Sequence, residues 1–177
     1  MRRLWKPIAV ILAVIAAGAL YQVVFGDKVV SGTVQVPQPV AMIGSGASAV
    51  PVTANGAIVR WLQLPDEPEL PQLPLSEPPQ GGRLAGPMLQ QARVLGAAPA
   101  ALRPYIANSY YGESGVDVEL TSGIELRFGD ASMAAQKWKA AAAILADPTI
   151  TALDYVDLYS PAHPAYGGSE HSLPPAP

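Results

Sequence analysis

A run of alternating apolar and polar residues between Val116 and Gly129, VDVELTSGIELRFG, constrains the fold more than any other part of the chain. A period of two is typical of strands that bury one face. If Thr121–Gly123 forms a three-residue loop with the glycine in the left-handed conformation, six apolar side chains share one face of an antiparallel hairpin. The facing pairs in this register are Leu120 with Ile124, Val118 with Leu126, and Val116 with Phe128.

A shorter loop is the alternative for this hairpin. A two-residue loop would place Leu120 opposite Glu125 and mix the two faces. The longer loop instead pairs Asp117 with Arg127 and sets Glu119 against Glu125, a like-charge contact worth only a few tenths of a kcal/mol in solvent. Burial of six apolar side chains at roughly 1.5 kcal/mol each outweighs that cost. We therefore predict the longer loop, and we interpret the carboxylates as a solvated sheet face rather than a hydrolytic pair.

Two helices are predicted to flank this hairpin. The first begins at Pro87, where the missing amide hydrogen costs nothing, and ends at Gly96. The second has Asp130 or Ser132 as its cap and runs to about Ala146. The apolar residues at helical spacing are Met88, Leu89, Ala92 and Leu95 in the first helix, and Met133, Trp138, Ala141, Ala142 and Leu145 in the second.

The remaining strands are shorter and less regular. Val50–Thr53 and Ala57–Trp61 flank Asn55-Gly56, which is a strong hairpin signal. A closing strand is predicted over Ile150–Tyr159, with apolar side chains on both of its faces. Prolines recur through residues 64–82, so we expect an extended surface connection there. Together these elements predict an α+β domain, mostly antiparallel, with two packed helices.

An uncharged apolar segment, residues 7–25, lies near the start of the chain. About 20 apolar residues cross the hydrocarbon core of a bilayer, so this segment is long enough to span it. Arg2, Arg3 and Lys6 precede it, which predicts a cytoplasmic N-terminus and a single-pass protein of the cytoplasmic membrane. The alternative is a signal peptide cleaved near Ala17–Ala19. We favour the anchor because apolar residues continue beyond that site.

The composition argues against several classes of function. Cysteine is absent, which removes disulfides, thiolate metal sites and thiol nucleophiles. The two histidines, His163 and His171, lie in a Pro- and Gly-rich tail, so we expect neither a histidine metal site nor a Ser–His pair. The net charge is −3 and the basic residues are scattered, which disfavours nucleic acid as a partner. The sequence therefore predicts no enzyme activity, no cofactor and no metal.

The order of these elements resembles the FtsQ/DivIB family of bacterial cell-division proteins. The resemblance is carried by residues 116–161, with an L-x-x-G hairpin at Leu120–Gly123, then Phe128-Gly129, Lys137, Leu145 and Tyr155-Val-Asp-Leu158. Earlier stretches that look like the start of the same β domain are Gln38–Ile43, Val50–Gly56 and Leu70–Pro74. The resemblance covers most of residues 34–166 and, in addition, the apolar segment at residues 7–25.

The resemblance and the sequence pattern together imply five parts. They are a cytoplasmic N-terminus (1–6), a transmembrane helix (7–25), a short leader (26–49), an extracytoplasmic β domain (50–166) and a disordered tail with nothing to bury (167–177). Members of the family carry a POTRA domain of roughly 70 residues between anchor and β domain. The leader is too short for one, so at most the last strand of that domain is expected in it.

The resemblance also implies a function. Members of the family are non-enzymatic divisome components that bind the bitopic proteins FtsB and FtsL and help to regulate septal peptidoglycan synthesis. The expected mechanism is β-strand addition, in which a partner strand pairs with an exposed sheet edge. The matched positions are Tyr155, Val156, Leu158, Tyr159, Ser160, Ala162 and Tyr166. We expect Tyr159 to be an exposed anchor for the partner, because the residues after it are too small to cover it.

Two other interpretations stay open at this point. Cleavage near Ala19 would release a secreted hydrolase or ligand-binding domain, although the sequence offers no catalytic constellation for one. Another bitopic scaffold, such as the linker of a secretion system, would share the anchor but lack a closing strand like Tyr155–Leu158.

Overall fold

The computed structural model of the protein describes residues 37–62 and 70–174. The predicted cytoplasmic start, transmembrane helix, cleavage site and first part of the leader lie outside the described residues. Positions 63–69 of the proline-rich connection and positions 175–177 of the tail also lie outside them. Within the described ranges, no helix is both long enough and apolar enough to cross a bilayer.

The described residues form two sheets and two α-helices. In chain order the elements are β1 (Pro39–Ile43), β2 (Val50–Thr53), α1 (Gly86–Gly96), β3 (Ile106–Gly112), β4 (Gly115–Leu120), β5 (Glu125–Gly129), α2 (Ala134–Leu145), β6 (Ala152–Asp157) and β7 (Ala165–Ser172). Strands β3 to β7 lie side by side in sequential order, and β1 pairs with β2. Among the strands of residues 37–62 and 70–174, only β5 and β6 pair in parallel, with α2 as their crossover. The predicted α+β class with two helices is confirmed.

The predicted hairpin is the centre of the larger sheet. Val118 pairs with Leu126, and the amide of Leu120 donates to the carbonyl of Ile124 at 2.9 Å. Gly123 adopts φ +92°, as the three-residue loop requires. All six apolar side chains of the predicted face are at most 1% exposed. One pair was wrong: Val116 pairs with Gly129, because the register shifts by one residue after Val116.

The two helices meet on this apolar face. The ring of Trp138 on α2 lies 4.9 Å from that of Phe128, and the side chain is fully buried. Its indole Nε1 donates a 2.7 Å hydrogen bond to the carbonyl of Val94 on α1. A single residue therefore ties the hairpin and both helices together, while its one polar atom is satisfied.

Lys137 of α2 is buried, although charged residues are almost never enclosed without partners. Its Nζ donates to the carbonyl of Phe128 at 2.7 Å, and to the carbonyl and the Oδ1 of Asp130 at 3.0 Å. All three donors of the ammonium group are thus used. The side chain fastens the first turns of α2 to the end of β5.

The start of α2 differs from the prediction. Neither Asp130 nor Ser132 caps the helix; Met133 holds the cap position with φ 52°. Asp130 instead accepts hydrogen bonds from Ser132 and Lys137, which keep the pKa of its carboxyl below the usual value. Met133 was predicted to face the core but is 53% exposed. With Met133 in this left-handed conformation, the helix begins at Ala134, one residue later than a cap at Ser132 would place it.

The predicted leader was wrong at its end, because β1 belongs to the domain. Side chains from Val40 to Ile43 are buried, and β1 pairs with β2. The resemblance of Gln38–Ile43 to the start of the β domain indicated this strand, whereas the residue pattern alone did not, and Pro39 opens it, where a missing amide hydrogen is tolerated. The domain therefore begins well before the predicted boundary at residue 50.

The Asn55-Gly56 turn was predicted correctly, but its second arm was not. The chain reverses there, and the amide of Thr53 donates to the carbonyl of Ala57 at 3.0 Å. The second arm makes only isolated bridges, among them Val52 with Ile58, rather than a strand. The main partner of β2 is β1 instead.

The pairing of the closing strand β6 with β7 is irregular, which the alternation did not reveal. Leu153 and Val156 are both buried although they are three positions apart. The pairing with β7 shifts between Leu153 and Tyr155, which allows both side chains to face the core.

The predicted disordered tail was wrong over most of its length. Residues 165–172 form β7, which pairs antiparallel with β6. Most of its residues are exposed, so little side-chain burial marked it in the sequence. Backbone pairing with the existing edge of β6 is what orders it.

We predict that Lys137→Met destabilises the protein by about 2 to 4 kcal/mol, because the carbonyls of Phe128 and Asp130 lose their buried donor. Lys139→Met is the matched control: Lys139 is exposed on the same helix, and its replacement should cost less than about 0.5 kcal/mol. Urea unfolding of both variants measures the difference. Equal stabilities would contradict the assigned role of Lys137.

Candidate partner-binding site

The residues predicted to contact a partner fall on both sides of the β6–β7 connection. Val156 and Leu158 are fully buried, so their side chains belong to the core. Ser160 and Ala162 are exposed in the connection. Tyr159 and Tyr166, at the two ends of that connection, are 44% and 50% exposed.

Tyr155 is half-buried on the outer face of the sheet, the face turned away from the helices, where it contacts residues of β5 and β7. The guanidinium of Arg127 lies 4.3 Å from the centre of its ring, a cation–π contact. The ring extends over Gly167 of β7, where an added Cβ would come 3.0 Å from the Tyr155 hydroxyl. The absence of a side chain at Gly167 therefore lets β7 approach β6 closely.

Tyr159 combines exposure with intramolecular contacts. Its hydroxyl donates a 3.0 Å hydrogen bond to the carbonyl of Ser114, in the turn between β3 and β4. Its ring packs directly on Gly129, and its amide donates to Asp157 at 3.0 Å. The tyrosine thus joins the ends of β5 and β6 to the β3–β4 turn and presents its remaining surface to solvent.

A groove of about 500 Å³ separates α2 from the β6–β7 connection. The residues that line it are Met133, Gln136, Lys139, Ala140 and Ala143 of the helix region, with Ser160, Pro161 and Ala162 opposite. Two of the predicted contact residues, Ser160 and Ala162, therefore face a concave surface.

The edge of β6, where the sequence predicts a partner strand, is occupied by β7. Among the described residues, β7 has a neighbour on one side only, so β7 is the edge strand at this end of the sheet. A bulge divides it: Asp154 of β6 stands opposite Gly168, Ser169 and Glu170. Gly168 has φ +87°, and the amide of Glu170 donates to Asp154 at 2.6 Å. Regular pairing can therefore extend along Ala165–Gly167 and is interrupted beyond it.

Asp154, Glu170 and His171 bring three possible metal ligands together at this bulge. Their ligand atoms lie within 4.8 Å of one another. Glu170 is exposed and the other two are half-buried, and groups of exposed acidic side chains are common without an ion. We assign no metal to this group.

A polar network covers the outer face of β3, β4 and β5. Tyr110 donates a 2.8 Å hydrogen bond to Glu125 Oε1, and Arg127 binds Glu125 Oε2 at 2.9 Å. The hydrogen bonds from Arg127 and Tyr110 hold the pKa of Glu125 below its usual value against the effect of desolvation. Sequence reasoning missed Tyr110, although its place opposite Asp117 follows once β3 is added to the predicted hairpin register.

Asp117 departs from the predicted solvated face, because it is only 7% exposed. Desolvation, reinforced by the charge of Glu125, raises the pKa of Asp117 to about 6. Arg127 opposes this shift but is already bound to Glu125. The carboxylate is thus ionised at neutral pH in a place that disfavours its charge.

We predict that Asp117→Asn removes a pH dependence of stability. The pKa is 3.8 for an unperturbed aspartate and about 6 in the fold, so the wild type binds the proton more tightly when folded. Its stability should therefore fall as the pH rises from about 4 to about 6, by roughly 1 to 2 kcal/mol after allowance for solvent screening. Urea unfolding across this range should show the fall in wild type and in the control Glu119→Gln, but not in Asp117→Asn. A profile shared by all three proteins would refute the assignment.

Comparison with known proteins places this domain in a family. A family model described as the C-terminal region of the cell division protein FtsQ/DivIB matches residues 41–159, more than half of the chain. The match runs from β1 to Tyr159 and includes both helices. No curated protein matches the chain. The chain therefore belongs to the FtsQ/DivIB family of cell division proteins.

Proposed function

We propose that this protein is a non-enzymatic scaffold of the division machinery that binds an extended segment of an FtsB/FtsL-like bitopic partner along β7. The observation that carries the proposal is the open edge of β7 in a domain of the FtsQ/DivIB family. A sheet edge presents unpaired amide and carbonyl groups, and a partner strand satisfies them.

The bulge in β7 limits the length of the strand that a partner can add. Regular pairing is available along Ala165–Gly167, and the bulge at Gly168 ends it. The short ladder supplies few backbone hydrogen bonds, so side chains beside it must supply much of the affinity.

Two tyrosines can supply that affinity. Tyr166 lies in the ladder segment, and Tyr159 lies at the far end of the connection, each about half exposed. Tyrosine buries a large area for little loss of rotamer entropy, which explains its enrichment at binding hot spots. Pro161 and Pro164 lack amide hydrogens, so the connection between the two tyrosines contacts the partner through side chains rather than through backbone hydrogen bonds.

The apolar segment at residues 7–25 supports a single-pass anchor with the domain outside the cytoplasm. An anchored domain meets bitopic partners in the same membrane, where the effective concentration is high. In this arrangement the protein has no chemical step of its own and helps to regulate septal peptidoglycan synthesis by holding its partners.

We predict that Tyr166→Ala weakens binding of an FtsB-like peptide by about 1 to 2 kcal/mol, because the partner loses an aromatic contact beside the ladder. Titration of the full chain in detergent by calorimetry measures the affinity. The matched control is Tyr111→Ala, since Tyr111 is 40% exposed on β3 at the opposite end of the sheet. Equal losses in the two variants would place the partner elsewhere.

Tyr159 also makes contacts within the domain, so replacement by alanine can lower stability as well as affinity. A more conservative substitution is therefore needed. Tyr159→Phe removes only the hydrogen bond to Ser114, whereas Tyr159→Ala also removes the packing on Gly129. We expect the phenylalanine variant to retain most of the peptide affinity and the alanine variant to lose affinity by about 1 to 2 kcal/mol or more. Thermal unfolding of both variants separates lost binding from lost structure.

A secreted binding domain is the competing function, supported by the possible cleavage site at Ala17–Ala19. We predict that the expressed chain sediments with membranes and keeps its original N-terminus, because apolar residues continue past that site. Fractionation followed by N-terminal sequencing is the measurement. Recovery of a soluble form that begins near Leu20 would contradict the anchored scaffold.

A further inference from the structure

Asp117 is an unpaired acid in the middle of the outer sheet face. In the sheet register it lies on β4 between Tyr110 of β3 and Arg127 of β5. It is 7% exposed, and none of the described hydrogen bonds ends on its carboxylate. A desolvated charge without a donor destabilises a fold, so charged groups are rarely buried unless they are paired.

The groups that face Asp117 do not neutralise it. On β5, Arg127 binds Glu125 through two nitrogens and stacks on Tyr155 of β6. On β3, the hydroxyl of Tyr110 donates to the other oxygen of Glu125. Glu119, on the same strand as Asp117, adds a further negative charge. The outer faces of β4 and β5 thus carry three carboxylates and one guanidinium that is already engaged.

One oxygen of the Asp117 carboxylate lies against the backbone of Gly112 on β3. A Cβ built at Gly112 would lie only 3.2 Å from Asp117 Oδ2, so a side chain at this position would crowd the carboxylate. The Asp117 oxygens are also not among the enclosed, unpaired side-chain atoms of the described residues, which are Gln91 Oε1, Ser109 Oγ and Ser122 Oγ. A cationic group can therefore reach the carboxylate from solvent.

We infer that Asp117 is the receptor for an arginine side chain of a partner protein that docks on the outer face of the sheet. The negative balance of the face selects a cation, and the Asp117 oxygens are open to it. Arginine fits better than lysine because its planar guanidinium binds a carboxylate through two nitrogens and stacks on aromatic rings. Tyr110, 38% exposed and next to Asp117 in the register, provides such a ring.

This surface is separate from the proposed edge, since β5 and β6 lie between Asp117 and β7. Its occupation is linked to pH, because only the ionised carboxylate attracts the guanidinium. The raised pKa of Asp117, about 6, places this change in the mildly acidic range.

The test uses the full chain in detergent with N-acetyl-arginine amide as the probe and N-acetyl-citrulline amide as its neutral isostere. The side-chain carboxyl resonance of Asp117, followed by NMR, reports binding. We expect saturable shifts with the arginine probe only, and an affinity about tenfold lower at about pH 5 than at about pH 7.5, following the ionised fraction.

Three variants decide the assignment. Asp117→Asn should abolish the arginine-dependent shifts of the Tyr110 and Gly112 amides, and Glu119→Gln should retain them. Gly112→Ala keeps the charge but adds a methyl group in tight contact with the carboxylate, so it should weaken binding severalfold while the fold is retained. Equal shifts with citrulline, retained binding in Asp117→Asn, or unchanged binding in Gly112→Ala would each overturn the proposal.

Discussion

Six apolar side chains on one face of the β4–β5 hairpin provide the surface on which the other elements of the larger sheet and both helices assemble. They are at most 1% exposed, and Trp138 joins this face to both helices through its ring and its indole hydrogen bond. Lys137 then fastens the end of β5 to α2. The parallel pairing of β6 with β5 depends on this attachment, since α2 is the crossover that brings β6 back to the sheet.

The same alternation that fills the core also concentrates polar side chains on the opposite face. Because successive residues of a strand point to opposite sides, a fully apolar inner row imposes an outer row of Asp117, Glu119, Glu125 and Arg127. Glu125 finds two donors in Tyr110 and Arg127, and Asp117 finds none. The protein tolerates this cost because the inner face contributes far more to its stability.

Elements that bury a periodic set of side chains could be predicted from the sequence, and those that rely on backbone pairing could not. The hairpin register and α1 follow from the spacing of apolar residues. The β7 strand carries two adjacent glycines and mostly exposed side chains, so only the presence of β6 beside it reveals a strand. In β6, Leu153 and Val156 are both buried where the pairing with β7 is irregular, which no strict alternation could anticipate. The predicted contact residues were consequently divided between core, connection and edge.

The dependence of β7 on β6 alone has a consequence for its dynamics. β7 contributes few buried side chains, and β6 is its only neighbouring strand among the described residues. Segments with few buried contacts open with low free energy, without unfolding the rest of a domain. We therefore expect β7 to detach from β6 and pair with it again while the rest of the domain stays folded. Amides of Ala165–Gly167 should then exchange with solvent sooner than those of the hairpin. A strand that pairs with β7 orders it as it binds, so affinity at this edge reflects the local folding of β7 as well as the contacts made with it.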